Sequence, residues 1–201
     1  MTIRKGEPWG EPVEVPTALR IFEDDRDAGA WLRGVTSAPT EAIGLRGGDL
    51  ARTMGGGAPG RFDGVVTRAP VDLMVVRLDG RQTLALSHVV LHDRWWLGRV
   101  VLVMNAQFLG SRDVVPRSHP NDGRVDVLTA EPSMPLRARV QAARRAVSGT
   151  HLPHPALKVR QLGEWSMRFD RPISCWVDGT RVGRVEQVEV EVLADGLVVH
   201  V

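Results

Sequence analysis

The chain has 201 residues, of which 43% are hydrophobic and 25% are charged, a balance typical of a soluble globular protein that can bury a core. No apolar run approaches the roughly 20 residues that a membrane-spanning helix requires, and no signal-peptide segment opens the chain. The single cysteine excludes an intramolecular disulfide, so we expect a cytoplasmic protein. A formal charge of +2 is too small to indicate a nucleic-acid partner.

The first part of the chain carries the pattern of a short α/β segment. Residues 1–18 contain three prolines and little periodicity, so we expect an irregular arm there. The acidic run Glu23–Asp25 precedes a helical spacing of apolar residues, where negative charge favours a helix N-terminus. We interpret this run as a helix cap and not as a metal site, because no histidine or cysteine accompanies it. The apolar residues of the helix are Ala28, Trp31 and Leu32.

A glycine pair lies between a predicted strand and a predicted helix. The strand is Glu41–Leu45, the loop is Arg46–Asp49, and the helix begins at Leu50. Backbone N–H groups in such a loop can hold a phosphate, although an ordinary turn has the same pattern. Both interpretations remain open from the spacing alone.

A hairpin pattern follows. Val71–Leu78 and Gln82–Val90 flank an Asp-Gly pair at Asp79, which favours a tight turn between two strands. His88 and His92 lie on and just after the second strand. A metal site would need further ligands, so we interpret both as isolated, ordinary histidines.

The next pattern is a strand at Val100–Met104, a long loop that ends in a turn at Asp122, and a returning strand from Val125. Trp95 and Trp96 precede it. Neighbours on a strand point to opposite faces, so one of the two could be exposed at a dimer or ligand surface. Packing within a loop is the simpler interpretation.

A helix is predicted at Met134–Val147. Its apolar residues form a narrow stripe, and arginines occupy much of the remaining surface. We favour a solvated surface helix that docks through the stripe, and the alternative is a basic surface that rests on anionic lipid headgroups. The stripe consists of Leu136, Val140, Ala143 and Val147, and the arginines are Arg137, Arg139, Arg144 and Arg145.

From Trp165 onward, apolar and polar residues alternate, which predicts strands packed on a shared core. Cys175 shares its face with Ile173 and Val177, so we predict that it is buried and unreactive. The Asp-Gly pair at Asp178 predicts a hairpin turn between two of these strands.

Between Asn105 and Val127, the chain resembles a motif of the diacylglycerol kinase and sphingosine kinase-like lipid kinases. In that motif, an Asn on a strand is followed by a Gly, a Pro and the sequence Asp-Gly-x-Leu-Asp-Val. Gly149–Pro155 also resembles a Gly-x-His-x-x-His-Pro segment of these kinases, which looks structural there. The resemblance covers Glu41 to Val201, and the matching residues of the first motif are Asn105, Gly110, Pro116, Asp122, Gly123, Val125, Asp126 and Val127.

The resemblance implies an α+β fold: a truncated α/β remnant of a nucleotide-binding domain at residues 1–64, followed by an antiparallel β-sandwich at residues 65–201. The family's first phosphate loop, Gly-Gly-Asp-Gly-Thr, is missing from the corresponding region, Ile21–Gly29. The second glycine loop is retained in part, although its leading Gly, its Thr and its Asn are replaced. The residues that this loop would offer to a nucleotide are Arg46, Gly47, Gly48 and Asp49.

Two further sites follow from the resemblance. Asp178 would be the general base that accepts the proton of a lipid hydroxyl, but Thr180 replaces a Glu that accompanies this Asp in the family. Asp122, with the backbone carbonyls of His119 and Arg124, would hold a magnesium-type ion. A plain turn remains the alternative there.

We therefore expect a lipid-kinase-like protein that is catalytically silent and binds a lipid, a nucleotide fragment or a protein partner, because phosphoryl transfer depends on positioning and neutralising the triphosphate. The first alternative is a lipid kinase that uses ATP and Mg²⁺ and needs a partner or a second subunit. The second is a structural module, for example a homodimer. A lipid or membrane surface is a further candidate partner, which would make the cytoplasmic protein peripheral to the membrane.

Overall fold

A large sheet forms the centre of the protein. The computed structural model describes residues 9–56, 62 and 64–201. The strands in these residues are β1 (Glu11–Glu14), β2 (Arg20–Phe22), β3 (Ile43–Leu45), β4 (Val65–Leu78), β5 (Arg81–Ala85), β6 (His88–Arg94), β7 (Leu97–Met104), β8 (Phe108–Leu109), β9 (Arg112–Asp113), β10 (Val125–Ala130), β11 (Leu157–Leu162), β12 (Glu164–Val177) and β13 (Thr180–His200).

Among the described residues, 11 of these strands join in one sheet with the order β1-β4-β13-β12-β6-β7-β10-β11. β5 pairs with β4, and β3 joins β13 to β2 through two parallel pairings. β8 and β9 form a separate hairpin. The helices are α1 (Asp25–Leu32), α2 (Asp49–Thr53) and α3 (Leu136–Arg145), and a 3₁₀ turn (Ala146–Ser148) follows α3.

The sheet folds over on itself, because strands that are far apart in it share one core. Met74 of β4 belongs to the same buried cluster as Val125 and Val127 of β10. Register shifts within β12 and β13 allow the long strands to bend. Cys175 lies in this core, as predicted. The predicted α+β architecture with an antiparallel β-sandwich is therefore confirmed.

Two smaller cores lie on the outer faces of the sheet. α1 and α2 pack on β3 and on Val71 and Leu73 of β4. α3 packs over Val100 and Leu102 of β7, whose neighbours Val101 and Val103 point into the sandwich. Because successive strand residues point to opposite faces, the sheet holds all three cores together.

The prediction that Gln82–Val90 is one strand is wrong. β5 pairs with β4 and ends at Ala85. Leu86 and Ser87 belong to no strand, and the chain then continues as β6, which pairs with β7 and β12. The break has a polar cause: the backbone N–H groups of Leu86 and Ser87 donate to the carboxylate of Asp178. The predicted turn at Asp79 is present, with a φ of 48°.

The predicted apolar stripe of α3 is also wrong. Leu136 and Val147 are 53% and 58% exposed, whereas Arg139 and Ala142 are buried. The helix is rotated relative to the prediction because the guanidinium group of Arg139 donates hydrogen bonds to backbone carbonyl groups beneath the helix.

The N-terminal part is less irregular and less separate than its sequence indicates. Residues 1–8 of the predicted arm lie outside the described residues, and Glu11–Glu14 form β1, which pairs with β4. The boundary at residue 64 stays a prediction, although the sheet continues across it. In the part of the chain that the structure describes, every helix is too short or too polar to cross a bilayer.

Candidate functional site

A cleft of about 230 Å³ lies between the start of α1, the start of α2 and the turn that joins β12 to β13. It brings together part of the predicted nucleotide loop and the predicted general base, which are more than 100 residues apart in the sequence. The residues that line it are Asp24, Asp25, Arg26, Gly48, Asp49, His88, Asp178 and Gly179.

The carboxylate of Asp25 binds one backbone N–H group of the predicted phosphate loop, that of Asp49, and the N–H group of Leu50 that follows the loop. Asp49 and Leu50, at the start of α2, donate their N–H groups to it, the second over 3.1 Å. A Cβ at Gly48, whose φ is 99°, would lie 2.6 Å from Asp25 Oδ1. Burial, followed by the charges of Asp178 and Asp49, raises the pKa of Asp25 to about 7. The protein thus supplies its own anion to this helix N-terminus.

The acidic run before α1 has two functions. Asp24 caps α1 as predicted, since its side chain accepts the backbone N–H groups of Arg26 and Asp27 over 2.9 and 3.1 Å. Asp25, by contrast, bonds to α2 and not to its own helix. The sequence pattern could not separate these roles, because α2 begins 24 residues later.

Arg46 and Gly47, the first half of the predicted nucleotide loop, do not line the cleft. Arg46 Nε lies 3.2 Å from Glu23 Oε1, and its backbone N–H donates to Phe22 O over 3.0 Å. A Cβ at Gly47 would lie 3.3 Å from the carbonyl oxygen of Glu23. These contacts connect the loop to the segment before α1, and nucleotide binding by this loop stays a prediction.

Asp178 is buried and fixes the break between β5 and β6. Its carboxylate accepts the backbone N–H groups of Leu86, Ser87 and His88 over 2.9, 2.8 and 3.1 Å. α1 covers it closely, since a Cβ at Gly29 would lie 2.7 Å from Asp178 Oδ2. Asp178 is only 1% exposed and has a φ of 45°. Its role as a general base stays a prediction.

Thr180, which replaces a Glu of the kinases that the chain resembles, accepts a hydrogen bond from the guanidinium group of Arg33. Arg33, which caps the end of α1, donates from Nη2 to Thr180 Oγ1 over 3.1 Å and from Nη1 to Val177 O over 3.5 Å. These bonds attach α1 to the turn that carries Asp178.

His88 lines the cleft, although no functional role was predicted for it from the sequence. Its Nε2 lies 3.5 Å from Asp49 Oδ2 and its Nδ1 lies 3.7 Å from Asp178 Oδ1, so the interpretation of His88 as isolated is wrong. Burial lowers the pKa of His88, but the carboxylates of Asp178, Asp49 and Asp25 outweigh it and the pKa is raised. No local pattern predicts these contacts, because both partners are at least 39 residues away.

The Asp122 turn gathers several carboxylates. Asp122 Oδ1 accepts the backbone N–H of Arg124 over 3.0 Å, and Asp72 accepts the N–H of Gly123 over 2.7 Å. Burial raises the pKa of Asp122 to about 6, and Asp126 and Asp72 add to the rise. His119 Nδ1 accepts the N–H of Asn121 over 3.2 Å. No cluster of metal-ligating side chains is present among the described residues, so the ion at Asp122 stays a prediction.

A larger cavity, of about 410 Å³, lies between α3 and the outer face of β7 and β10. Trp95 and Trp96, in the turn between β6 and β7, close part of it. The β8–β9 hairpin connects it to the cleft, because Gly110 lines the cavity and donates its N–H to Asp49 Oδ1 over 2.8 Å. The apolar lining includes Val100, Leu102, Leu109, Val114, Leu128, Ala130, Met134, Ala142, Ala143, Ala146 and Leu157.

Two polar side chains in the cavity wall are buried. Arg139 is 5% exposed, and its partners among the residues that the structure describes are the backbone carbonyl groups of Trp95, Gly98, Glu131 and Met134. His151 is 4% exposed. Among the described residues, neither of its ring nitrogens makes a hydrogen bond of ordinary geometry, although the Val114 backbone lies near the ring. Burial lowers the pKa of His151.

The chain is similar in structure to solved bacterial kinases. It matches a diacylglycerol kinase from Bacillus anthracis str. Sterne with a TM-score of 0.62, at 13% identity over 89% of this chain and 74% of that one. It also matches two structures from that strain that are described as proposed diacylglycerol kinases. Their TM-scores are 0.66 and 0.65, each at 12% identity, covering 90% and 89% of this chain and 77% and 76% of theirs.

The sequence comparisons add no closer relative. No family model matches the chain, and no curated protein matches it. At 12–13% identity, the structural likeness establishes the fold and leaves activity open. The chain has the fold of the bacterial diacylglycerol kinase structures, which the sequence motif around Asn105 had indicated.

Proposed function

We propose that this is a diacylglycerol-kinase-like protein that binds a lipid in the cavity beneath α3 and does not itself transfer phosphate. The observation that carries the proposal is the cavity: about 410 Å³, lined almost entirely by apolar side chains. Pockets for small organic ligands span about 300–1,000 Å³ and have this mostly apolar character.

The size of the cavity favours one acyl chain. Its volume of about 410 Å³ corresponds to roughly 14 methylene groups, if each takes about the 30 Å³ that a water molecule occupies in the liquid. A single-chain lipid, or one chain of a larger lipid, is therefore the proposed ligand.

The proposed catalytic silence is supported by the electrostatics of the cleft. A kinase must position and neutralise a triphosphate, but the amides at the start of α2 already bind the carboxylate of Asp25. Asp49 and Asp178 add two further carboxylates, against His88 and Arg26. A phosphate that approached α2 would have to displace Asp25 and would meet its negative neighbours.

The Asp122 turn has the chemistry for a hard cation. Carboxylate oxygen suits Mg²⁺, and the charges of Asp126 and Asp72 raise the pKa of Asp122 against the opposing charge of Arg124. The ligands we propose are the Asp122 carboxylate and the backbone carbonyls of His119 and Arg124. Such an ion would neutralise the turn.

Displacement of a fluorescent fatty-acid probe tests lipid binding. Ala142→Phe would place a ring in the cavity, whereas Gln141→Phe adds the same ring on the exposed side of α3. We expect Ala142→Phe to weaken binding about tenfold or more, with the control unchanged and both variants folded by thermal melting. Equal affinities for the two variants would show that the lipid does not occupy this cavity.

One observation favours the kinase alternative: the cleft brings Asp49 and Asp178 together. This alternative requires ATP and Mg²⁺, with Asp178 as base and a partner supplying the missing nucleotide-binding part. Transfer of labelled phosphate from ATP to diacylglycerol or a polyprenol by the purified protein would establish it. We expect no transfer and no saturable ATP binding.

A further inference from the structure

The turn between β6 and β7 presents large apolar side chains to solvent. Trp95, Trp96 and Leu97 are 43%, 46% and 56% exposed. Two-residue hairpin turns usually carry Gly, Asn or Asp, so a Trp pair at this place is not required by the turn itself. Leu136, at the start of α3, is another exposed apolar residue, at 53%. We call these four residues the tryptophan tip.

The tryptophan tip is held in place. Arg139 donates from Nη1 to Trp95 O over 3.1 Å and from Nη2 to Gly98 O, which joins the turn to α3. The ring of His92 lies 4.1 Å from that of Trp95 and stacks on Trp176 at 4.5 Å. Leu136 precedes Arg139 by one helical turn, so it lies near the residue that binds the turn, although its own side chain is exposed. The exposed side chains therefore project from a fixed support.

The charges beside the tryptophan tip are positive. Arg94 and Arg137 are exposed and adjoin it in the sequence. Asp93, the carboxylate next to the turn, pairs with Arg184 over 2.9 Å. Glu131, which also contacts Arg139 through its carbonyl, pairs with Arg99 over 3.0 Å. These two acids are thus already paired. Among the described residues, Arg94 and Arg137 make no ion pair, so they can face an anionic surface.

We propose that the tryptophan tip docks on an anionic lipid bilayer. Tryptophan is favoured at the boundary between headgroups and acyl chains, and exposed arginines are attracted to anionic headgroups. A second protein is the weaker candidate, because a specific protein interface uses about 20–30 residues on each side and the tip offers four apolar ones. A bilayer accepts a small projecting tip without shape complementarity.

The docking also places the cavity at the membrane. Trp95 and Trp96 line the cavity as well as the surface. A lipid could therefore pass between the bilayer and the cavity without crossing water. This last step rests on the proposed function, whereas docking itself depends only on the tryptophan tip and the arginines.

Vesicle flotation tests the docking. Vesicles of pure phosphatidylcholine are compared with vesicles in which a third of the lipid is phosphatidylglycerol. We expect the wild type to float with the anionic vesicles. Trp96→Ser combined with Leu97→Ser should weaken this binding roughly tenfold, and Arg94→Glu combined with Arg137→Glu should weaken it by more than about tenfold. Val159→Ser, at a position 38% exposed on β11, is the control and should not change it.

Three results would overturn the docking: no flotation of the wild type, flotation unchanged by both double substitutions, or equal loss with the Val159 control. Sedimentation without vesicles tests whether a second copy of the protein covers the tip instead. A dimer that dissociates in the Trp96→Ser variant would assign the tip to that contact. Probe displacement in solution is scored separately. Flotation without probe binding would contradict only the proposed cavity ligand, and probe binding without flotation would contradict only the docking.

Discussion

The carboxyl group of Asp25 should make the protein less stable as the pH rises. Its pKa is 3.8 when exposed and about 7 in the folded protein, chiefly because of burial. The folded state therefore binds this proton more tightly than the unfolded state does. Below about pH 4, the carboxyl group is protonated in both states and its titration does not change the stability. Between pH 4 and pH 7, the unfolded state releases the proton first, and stability falls.

The expected magnitude follows from that difference. At 1.36 kcal/mol for each tenfold change in proton affinity, Asp25 lowers the free energy of unfolding by about 4 kcal/mol between pH 4 and pH 8. Asp25→Asn keeps an oxygen for the amides of α2 and removes the titration. The variant is expected to be less stable than the wild type at pH 4, because it loses part of the hydrogen bonding, and more stable at pH 8.

Urea denaturation from pH 4 to pH 9 measures this effect, with the difference in unfolding free energy between wild type and Asp25→Asn as the quantity of interest. His88 and Asp49 also have raised pKa values and destabilise in the same direction, but both remain in the variant. Asp24→Asn, at an exposed cap, is the control and should give a nearly parallel curve. Parallel curves for Asp25→Asn would refute the assignment of a buried carboxylate at α2.

Four further changes have defined outcomes. His88→Phe leaves the buried carboxylate of Asp178 and the partly buried carboxylate of Asp49 without the imidazole beside them and should lower the unfolding free energy in urea by about 3 kcal/mol or more. Arg139→Leu removes the guanidinium group that donates to four carbonyl groups and should lower the unfolding free energy by about 3 kcal/mol. Arg144→Leu, at an exposed position, should change the unfolding free energy by less than about 0.5 kcal/mol. Asp122→Asn should abolish any rise in melting temperature that Mg²⁺ gives the wild type. His151→Leu should weaken probe displacement by a long-chain alcohol and not by an alkane, because neutral imidazole can bond to a hydroxyl.

Each of these has a result that would contradict it. A His88→Phe protein as stable as the wild type would mean that the carboxyl groups of Asp49 and Asp178 do not interact with His88. Equal effects of the Arg139 and Arg144 changes would place the Arg139 guanidinium in solvent. A Mg²⁺ response that persists in Asp122→Asn would locate the ion elsewhere, and equal losses for alcohol and alkane would give His151 only a packing role.

The sequence predicted those parts of the fold that local patterns determine. Alternation identified the C-terminal strands, and the turns at Asp79 and Asp178 have the positive φ angles that Asp-Gly pairs favour. It failed where a distant partner decided the outcome. Leu136 looked like the buried face of α3, but Arg139 is buried instead, because it donates to the distant carbonyl groups of Trp95 and Gly98 and to two carbonyl groups just before the helix.

The same limit applies to the candidate site. The loop at Gly48 has the local features of a phosphate loop, including its position at a helix start. What occupies its amides is Asp25, a residue that the sequence indicated only as a cap of its own helix. A motif predicts which groups a backbone offers, and the three-dimensional fold decides which anion receives them.

Asp178 shows why the presence of a residue that is predicted to be catalytic is weak evidence for catalysis. An ionised carboxylate can accept about four hydrogen bonds, and Asp178 already accepts three from the segment Leu86–His88. These bonds hold β5 and β6 in position whether or not a lipid hydroxyl is present. Asp178→Asn should therefore unfold or destabilise the protein by about 3 kcal/mol or more. An assay in which this variant merely loses phosphate transfer cannot distinguish a missing base from a missing fold, so unfolding must be measured on the same sample. Transfer lost at full stability would restore the role of general base.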